Sequence, residues 1–355
     1  MQTRFIDVPS IAQENVRIEN ILCDMDYLPL NEDQLRNLIN AETTFTALED
    51  AKRRQATVRG SMFWRSDAGK EYLVRATPLS KQTRLGVRSS ETEAIFHRFV
   101  ERKAGYDAEV KSLAEALLTV KRYNFAARVG RSPKILVDIL NCLEKTGVSG
   151  HFLTVGTHAM YAYETAAGVR VVDGALATQD VDILFDTRKR LTFFSGLKAQ
   201  NLSFIDVLRK VDKTFRVRDD QLQTAVNARG FEVDVIRRMA KDGDPHPLRM
   251  SDSEDDLWAV QVSSGERMLH AARYSQIIVA TDGSMARMNT ISPEMFARTK
   301  ESLGVSRSRD ARKRDKDLMQ ARIVRKLMNE RGIMLRGNSP LWLEENTRPS
   351  HADSA

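Results

Sequence analysis

The chain has 355 residues, of which 42% are hydrophobic and 29% are charged, and its formal net charge is +7 at pH 7. This composition is typical of a folded protein of about two domains and excludes a wholly disordered chain. No run approaches the roughly 18 apolar residues that cross a bilayer, and the first 20 residues carry acids and lack the sustained apolar stretch of a secretory signal.

The two cysteines, Cys23 and Cys142, are far apart and lack the spacing of a metal-binding motif. We therefore expect neither a disulfide framework nor a structural zinc site. Together with the missing membrane span, this predicts a cytoplasmic protein without a membrane partner.

The first half of the chain predicts helices around one β-hairpin, because helical spacing of apolar residues alternates with two aromatic and β-branched runs. Turn residues and helix caps separate these segments. The predicted elements are an arm at residues 1–30, a helix from Asn31 to about residue 59, a hairpin turning at residues 66–69, a helix from Ser90 to about residue 127 and a helix from Ser132 to Leu143.

The second half is richer in short strands, and its most informative junction is Val155-Gly156-Thr157. Here a strand is followed by a glycine and a hydroxyl residue that opens a helix, an arrangement that suits phosphate but is most often a simple turn. The predicted elements are strands at residues 152–155, 180–185, 230–236, 257–262, 276–281 and 285–290, and helices at residues 157–165, from Pro293, and from about 310 to 330.

Three aspartates in these strands are candidate metal ligands. Asp180 and Asp182 are two residues apart in one strand, so both side chains lie on the same face. Paired carboxylates repel each other, and a divalent cation relieves the repulsion, although a bare Asp-x-Asp is more often an exposed strand face. Asp234 completes a cluster of three carboxylates if its strand lies beside that of Asp182.

The combination resembles the nucleotidyltransferase superfamily with the DNA polymerase β-like fold, and within it the bacterial minimal and Abi-toxin-like nucleotidyltransferase proteins. Three segments carry the likeness: GTHAMYAYE from Gly156, ATQDVDIL from Ala177 and GFEVD from Gly230. The segment from Gly60 to Phe99 is similar to the N-terminal region of that family, so the likeness covers roughly residues 55–330.

The resemblance implies a role for each matching residue. Gly156 and Thr157 would hold the triphosphate of an NTP. Asp180, Asp182 and Asp234 would be the catalytic ligands of a two-metal Mg²⁺ site, and Asp234 would also assist deprotonation of the acceptor hydroxyl.

The C-terminal region is strongly basic, with eleven Lys and Arg residues against five acids between Lys300 and Arg331. The resemblance assigns nucleotide binding to Lys300 and Arg314, the latter in the segment Arg314-Asp315-Lys316-Asp317-Leu318. Asp310 also follows an arginine, which leaves a second alignment of this motif open. The basic residues after the last catalytic strand, Arg237, Arg238 and Lys241, could add to the positive charge or lie in solvent.

The expected fold is α+β, with a small mixed β-sheet in the nucleotidyltransferase core and helical regions on either side in sequence. The predicted division is a 1–30 arm, a 31–149 accessory region, a 150–292 core, a 293–332 helical region and a 333–355 flexible tail.

We expect transfer of a nucleoside monophosphate from an NTP to RNA, tRNA, a protein or a small molecule, and the family likeness makes a toxin or defence role with an antitoxin partner plausible. The alternative is a non-catalytic module that binds RNA or a protein, in which the basic hairpin with Arg65, Lys70 and Arg75 would grip phosphates.

Overall fold

The computed structural model describes residues 26–78 and 81–333. Most of the predicted N-terminal arm and nearly all of the predicted C-terminal tail lie outside these residues. Within them the chain forms two compact units, one made of residues 26–31, 132–280 and 286–333, and the other of residues 32–131 and 281–285. The core predicted from the sequence begins at residue 150, whereas the long segment of the first unit begins at residue 132.

The described residues form strands and helices in mixed order, which confirms the α+β fold. The strands are β1 (Tyr27–Pro29), β2 (Ser61–Asp67), β3 (Lys70–Ala76), β4 (Gln82–Val87), β5 (Phe152–Val155), β6 (Val169–Val171), β7 (Asp180–Phe185), β8 (Arg216–Val217), β9 (Thr224–Val226), β10 (Glu232–Arg238), β11 (Leu248–Arg249), β12 (Trp258–Val262), β13 (Arg273–Val279) and β14 (Met285–Ile291). The helices are α1 (Glu32–Ala56), α2 (Ser90–Ala126), α3 (Lys134–Thr146), α4 (Met160–Ala167), α5 (Asp173–Leu176), α6 (Arg190–Ala199), α7 (Phe204–Arg209), α8 (Gly265–His270), α9 (Pro293–Gly304) and α10 (Ala311–Arg331).

The unit of residues 32–131 consists of the long helices α1 and α2, which pack against each other, and an antiparallel sheet in the order β2-β3-β4. The helix α2 begins with a capping box, because the side chains of Ser89 and Thr92 each bond the backbone N–H of the other. The sequence predicted a two-stranded hairpin and missed β4, which alternates poorly and is exposed along most of its length.

The other unit is built on a mixed sheet that, among the described residues, has nine strands. Its main path runs β11-β12-β10-β7-β5-β14-β13, and the short pair β8-β9 extends from β10. Three of its strands, β5, β7 and β10, correspond to the predicted strands at residues 152–155, 180–185 and 230–236. In the sheet, β7 lies between β5 and β10.

Helices cover this sheet through a continuous apolar core that includes α3, α4, α7 and α10. The helix starts follow the sequence signals, since Pro133 precedes α3, Pro293 is the first residue of α9, and Asp310 caps the N-terminus of α10. Gly147 ends α3 in the left-handed conformation that glycine favours. No helix in the described residues is long and apolar enough to cross a membrane.

Candidate active site

The three predicted aspartates meet at one end of the central strands. Ligand oxygens of Asp180, Asp182 and Asp234 all lie within 4.8 Å of one another, and each side chain is half-buried. Hard divalent cations prefer such clusters of carboxylate oxygens. These three residues could therefore hold a metal ion.

Strand register produces the convergence. β7 and β10 are parallel, and Asp234 is paired directly with Asp182 while Glu232 is paired with Asp180. Directly paired residues of neighbouring strands point to the same face, so Asp182 and Asp234 stand side by side. Val181, Val233 and Val235 point to the opposite face and are fully buried, which fixes the register.

Two threonine hydroxyls orient the outer carboxylates. Thr178 donates a hydrogen bond to Oδ1 of Asp180, and Thr224 donates one to Oδ1 of Asp234 at 2.5 Å. The sequence analysis missed both residues. Thr178 has a sequence signal, because it is two residues before Asp180, whereas Thr224 is on the three-residue strand β9, which is too short to carry a pattern.

Burial and the repulsion between the three carboxylates raise the pKa of Asp182, the central one. Desolvation, followed by the charges of Asp180 and Asp234, raises the pKa of Asp182 to about 7. Desolvation also raises the pKa of Asp234, although the Thr224 hydrogen bond opposes it. A bound cation would stabilise such a site strongly, because its positive charge offsets the repulsion between the carboxylates that contributes to these raised pKa values.

The raised pKa makes the stability of the metal-free protein depend on pH. The pKa of Asp182 is near 4 in the unfolded state and near 7 in the folded state, so between these pH values the folded state binds more protons. The contribution of Asp182 to stability therefore falls as pH rises through this window. We expect a loss of about 2 kcal/mol between pH 5 and pH 7.

Urea unfolding in EDTA, at both pH values, measures this loss as the difference between wild type and Asp182→Asn. The comparison is needed because burial lowers the pKa of His158 to about 4, which makes stability rise with pH in part of the same range. Equal pH dependence in the two proteins would contradict the prediction, and saturating Mg²⁺ should reduce the difference.

The junction between β5 and the following 3-10 turn, Thr157–Ala159, brings backbone against the carboxylates. Gly156 has φ +65° and ψ −156°, which L side chains rarely adopt. A Cβ at Gly156 would lie 2.1 Å from Oδ2 of Asp182. Glycine is therefore required here both by the backbone conformation and by the closeness of the Asp182 carboxylate.

Gly156→Ala should lower the free energy of unfolding by about 1–3 kcal/mol from backbone strain alone and should weaken metal binding by displacing Asp182. Gly150→Ala is the matched control, because nothing lies within 4 Å of a Cβ there and its φ is not in the positive range. Denaturant unfolding and Mn²⁺ titration measure the two effects. Equal behaviour of the two variants would refute this view of Gly156.

His158 ties this junction to β7. Its ring is buried, and Nδ1 donates to the backbone carbonyl of Asp180 at 2.9 Å. Desolvation keeps the ring neutral, since it lowers the pKa of His158 to about 4. Its ring also packs against the rings of Tyr161 and Phe231.

A buried cation cluster lies where α9 and α10 pack together. Nζ of Lys300 donates to Oδ1 of Asp317 at 2.8 Å, and Nε of Arg309 bonds Oδ2 of the same carboxylate. Both cations act electrostatically on the carboxylate site, because their charges lower the pKa of Asp182 against the stronger effect of desolvation. Lys300 is the residue to which the family resemblance assigns nucleotide binding, and Arg309 is an additional cation that was not predicted from the sequence.

The helix α10 also contacts the glycine junction and the start of β7. Nε2 of Gln320 donates to Oγ1 of Thr157 at 3.1 Å and to the carbonyl of Ala175 at 2.5 Å. Nζ of Lys316 donates to the carbonyl of Ala177 at 2.6 Å. Four basic or amide side chains of the C-terminal segment therefore surround the site: Lys300, Arg309, Lys316 and Gln320.

The other basic candidates are placed differently. Arg314 is half-buried on the first turn of α10, and its side chain makes no ion pair with a described residue. Arg237 is fully buried on the face of β10 opposite Asp234, while Arg238 pairs with Asp244 and Lys241 with Glu266.

Comparison with known proteins gives one match. A family model described as Nucleotidyltransferase matches residues 134–336, which is more than half of the chain. No curated protein and no solved structure matches the chain. The matched region contains the three aspartates, Gly156 and the cation cluster of α9 and α10.

Proposed function

The chain belongs to the nucleotidyltransferase family, and from this premise we propose that it transfers the nucleoside monophosphate of an NTP to an acceptor hydroxyl, with release of pyrophosphate. The observation that carries the proposal is the approach of the Asp180, Asp182 and Asp234 oxygens within 4.8 Å of one another, beside Gly156. We name these three aspartates as the catalytic residues and as the metal ligands.

The three carboxylates fit Mg²⁺, because Mg²⁺ prefers oxygen ligands and usually binds a few carboxylates together with phosphate oxygens and water. Bound there, two Mg²⁺ ions would neutralise charge on the phosphates and make the acceptor hydroxyl more acidic. Thr178 and Thr224 hold Asp180 and Asp234 in fixed orientations for this purpose. By the family resemblance, Asp234 would also assist deprotonation of the acceptor hydroxyl.

The surrounding groups suit the triphosphate. Gly156 lets the phosphates approach the backbone without a side chain in the way, and Thr157 offers a hydroxyl that Gln320 orients. Lys300 and Arg309 supply positive charge that acts on Asp182, and Asp317 fixes both cations in place before the substrate arrives. We assign nucleotide binding to Gly156, Thr157, Lys300 and Arg314, and add Arg309 to the set.

Incubation with α-³²P-labelled NTPs, Mg²⁺ and separate pools of RNA, protein and small metabolites tests the activity and identifies the acceptor. Transfer of label that disappears in Asp180→Asn is the expected result. Transfer that persists in this variant would refute the proposal. The acceptor class remains open among RNA or tRNA, protein and small molecules, and a toxin role with an antitoxin partner is part of the proposal only by family likeness.

The alternative function is a non-catalytic module of the same fold. It predicts no Mg²⁺-dependent stabilisation by any NTP in wild type, whereas the transferase proposal predicts stabilisation that is lost in Asp182→Ala. The retained carboxylate cluster favours catalysis, because three half-buried acids that repel one another are unfavourable unless a cation binds them.

A further inference from the structure

The sheet β2-β3-β4, in the unit of residues 32–131, lies in a strongly basic part of the chain. Residues 59–88 contain seven basic residues and two acidic ones. These 30 residues therefore carry a net charge of +5, most of the net charge of +7 that the whole chain carries. A basic surface of this size attracts polyanions.

Most of these cations are free of acidic partners. Arg84 pairs with Asp67, and Arg88 pairs with Glu71 and Glu93. The remaining five have no ion pair with any described residue: Arg59, Arg65, Lys70, Arg75 and Lys81. All of them except Arg75 are exposed, so a ligand in solution can reach four unpaired charges.

The two faces of the sheet differ in what lies against them. Side chains alternate between faces along each strand, and Trp64 and Arg75 face α2, where their side chains lie against the rings of Phe96 and Phe99. The opposite face, which we call the open face, carries Phe63 and Arg65 of β2, Tyr72 and Val74 of β3, and Gln82 and Arg84 of β4. Val74 is buried at the centre of this face, whereas the polar side chains around it are exposed and the two rings are half-buried.

Arginine and aromatic side chains interleave on the open face. The guanidinium of Arg65 lies 5.6 Å from the ring centroid of Phe63 and donates to Gln82 at 2.7 Å on the far strand. The guanidinium of Arg84 lies 4.7 Å from the ring of Tyr72 and crosses the sheet in the other direction to Asp67. Flat guanidinium groups thus lie over half-buried rings, with exposed Val87 beside them.

We propose that the open face of this sheet binds a single-stranded polynucleotide. Unpaired cations bind the phosphates, while guanidinium planes and the rings beneath them stack on unpaired bases. An acidic peptide would use the charges but would gain nothing from the aromatic and guanidinium planes, so the interleaving favours a nucleic acid. The proposal goes beyond the transferase activity and can hold or fail without it.

Fluorescence anisotropy of a labelled 20-nucleotide oligouridine RNA with the full chain tests the proposal, without NTP or divalent metal, from 50 to 200 mM NaCl. We expect binding that weakens as salt rises, because each phosphate contact releases counterions. Arg65→Ala with Lys70→Ala should weaken binding by about tenfold or more and make the slope of log K against log salt shallower by about 1.4.

The matched control is Arg36→Ala with Lys111→Ala, which removes one exposed arginine and one exposed lysine from the helices of the same unit. It should leave the salt slope within about 0.5 of the wild-type value. Equal loss in both double variants would overturn the proposal, since it would indicate binding to overall charge and not to the open face.

Two further measurements separate stacking from charge. Phe63→Leu keeps an apolar side chain under Arg65 and should weaken oligouridine binding by about fivefold or more, with an unchanged circular dichroism spectrum. Polyglutamate at the same concentration of charge should fail to displace the RNA. Displacement by polyglutamate, or stronger binding of duplex RNA, would overturn the proposal.

Discussion

Asp182→Asn is expected to lower the rate of nucleotidyl transfer by about a thousandfold or more while leaving the fold intact. Asp182 is the central carboxylate, paired in register with Asp234 and close to Asp180. Its amide replacement keeps the shape but removes a negative metal ligand, and metal stabilisation of phosphoryl transfer supplies several kcal/mol. Steady-state rates with the acceptor found in the labelling experiment measure the effect.

Glu232→Gln is the matched control for this prediction. Glu232 is on the same strand face as Asp234, two residues before it, but it bonds Arg218 at 2.8 Å and is not part of the three-carboxylate cluster. Its replacement should change the rate by less than about tenfold. Comparable losses in Asp182→Asn and Glu232→Gln would mean that the rate responds to negative charge in general, and the assignment of the three aspartates would be wrong.

Asp317→Asn is expected to lower the free energy of unfolding by about 3–5 kcal/mol. The Asp317 carboxylate is buried and accepts bonds from Lys300 and Arg309. Its loss would remove the salt-bridge partner that Lys300 and Arg309 share, the only one either cation has among the described residues, and the Lys300 ammonium is itself buried. Buried pairs are strongly destabilised when one partner is removed, whatever the pair contributes as a whole.

Urea unfolding measures this effect, and Asp315→Asn on the same helix is the control, because Asp315 is exposed. The control should change stability by less than about 0.5 kcal/mol. The Michaelis constant for NTP should also rise in Asp317→Asn, since the two cations would lose their fixed positions. Equal stability of the two variants would show that Asp317 does not anchor the cations.

The sequence predicted the carboxylate cluster because strand periodicity is local. Asp180 and Asp182 are two residues apart, and the buried side chains of Val181 and Ile183 mark the opposite face of the strand. The junction at Gly156 was predictable for the same reason, since a strand, a glycine and a helix start are consecutive in the chain. The adjacency of β7 and β10 followed only from the family likeness, because strand pairing is not encoded locally.

The cation cluster was predicted only in part, because it depends on the packing of two helices. Lys300 and Asp317 are 17 residues apart on α9 and α10, and only the crossing of these helices brings them together. Arg309 is in the connection between them and has no periodic pattern to identify it. The strand β4 was missed because its exposed side chains lack the alternation of a half-buried strand.

The metal site is tested most directly by the position of Mn²⁺ in crystals soaked with Mn²⁺ and a non-hydrolysable NTP, located by anomalous scattering. We expect anomalous peaks between the carboxylates of Asp180, Asp182 and Asp234, with the triphosphate beside Gly156 and Thr157. Mn²⁺ bound elsewhere, or a nucleotide bound away from these aspartates, would contradict this expectation.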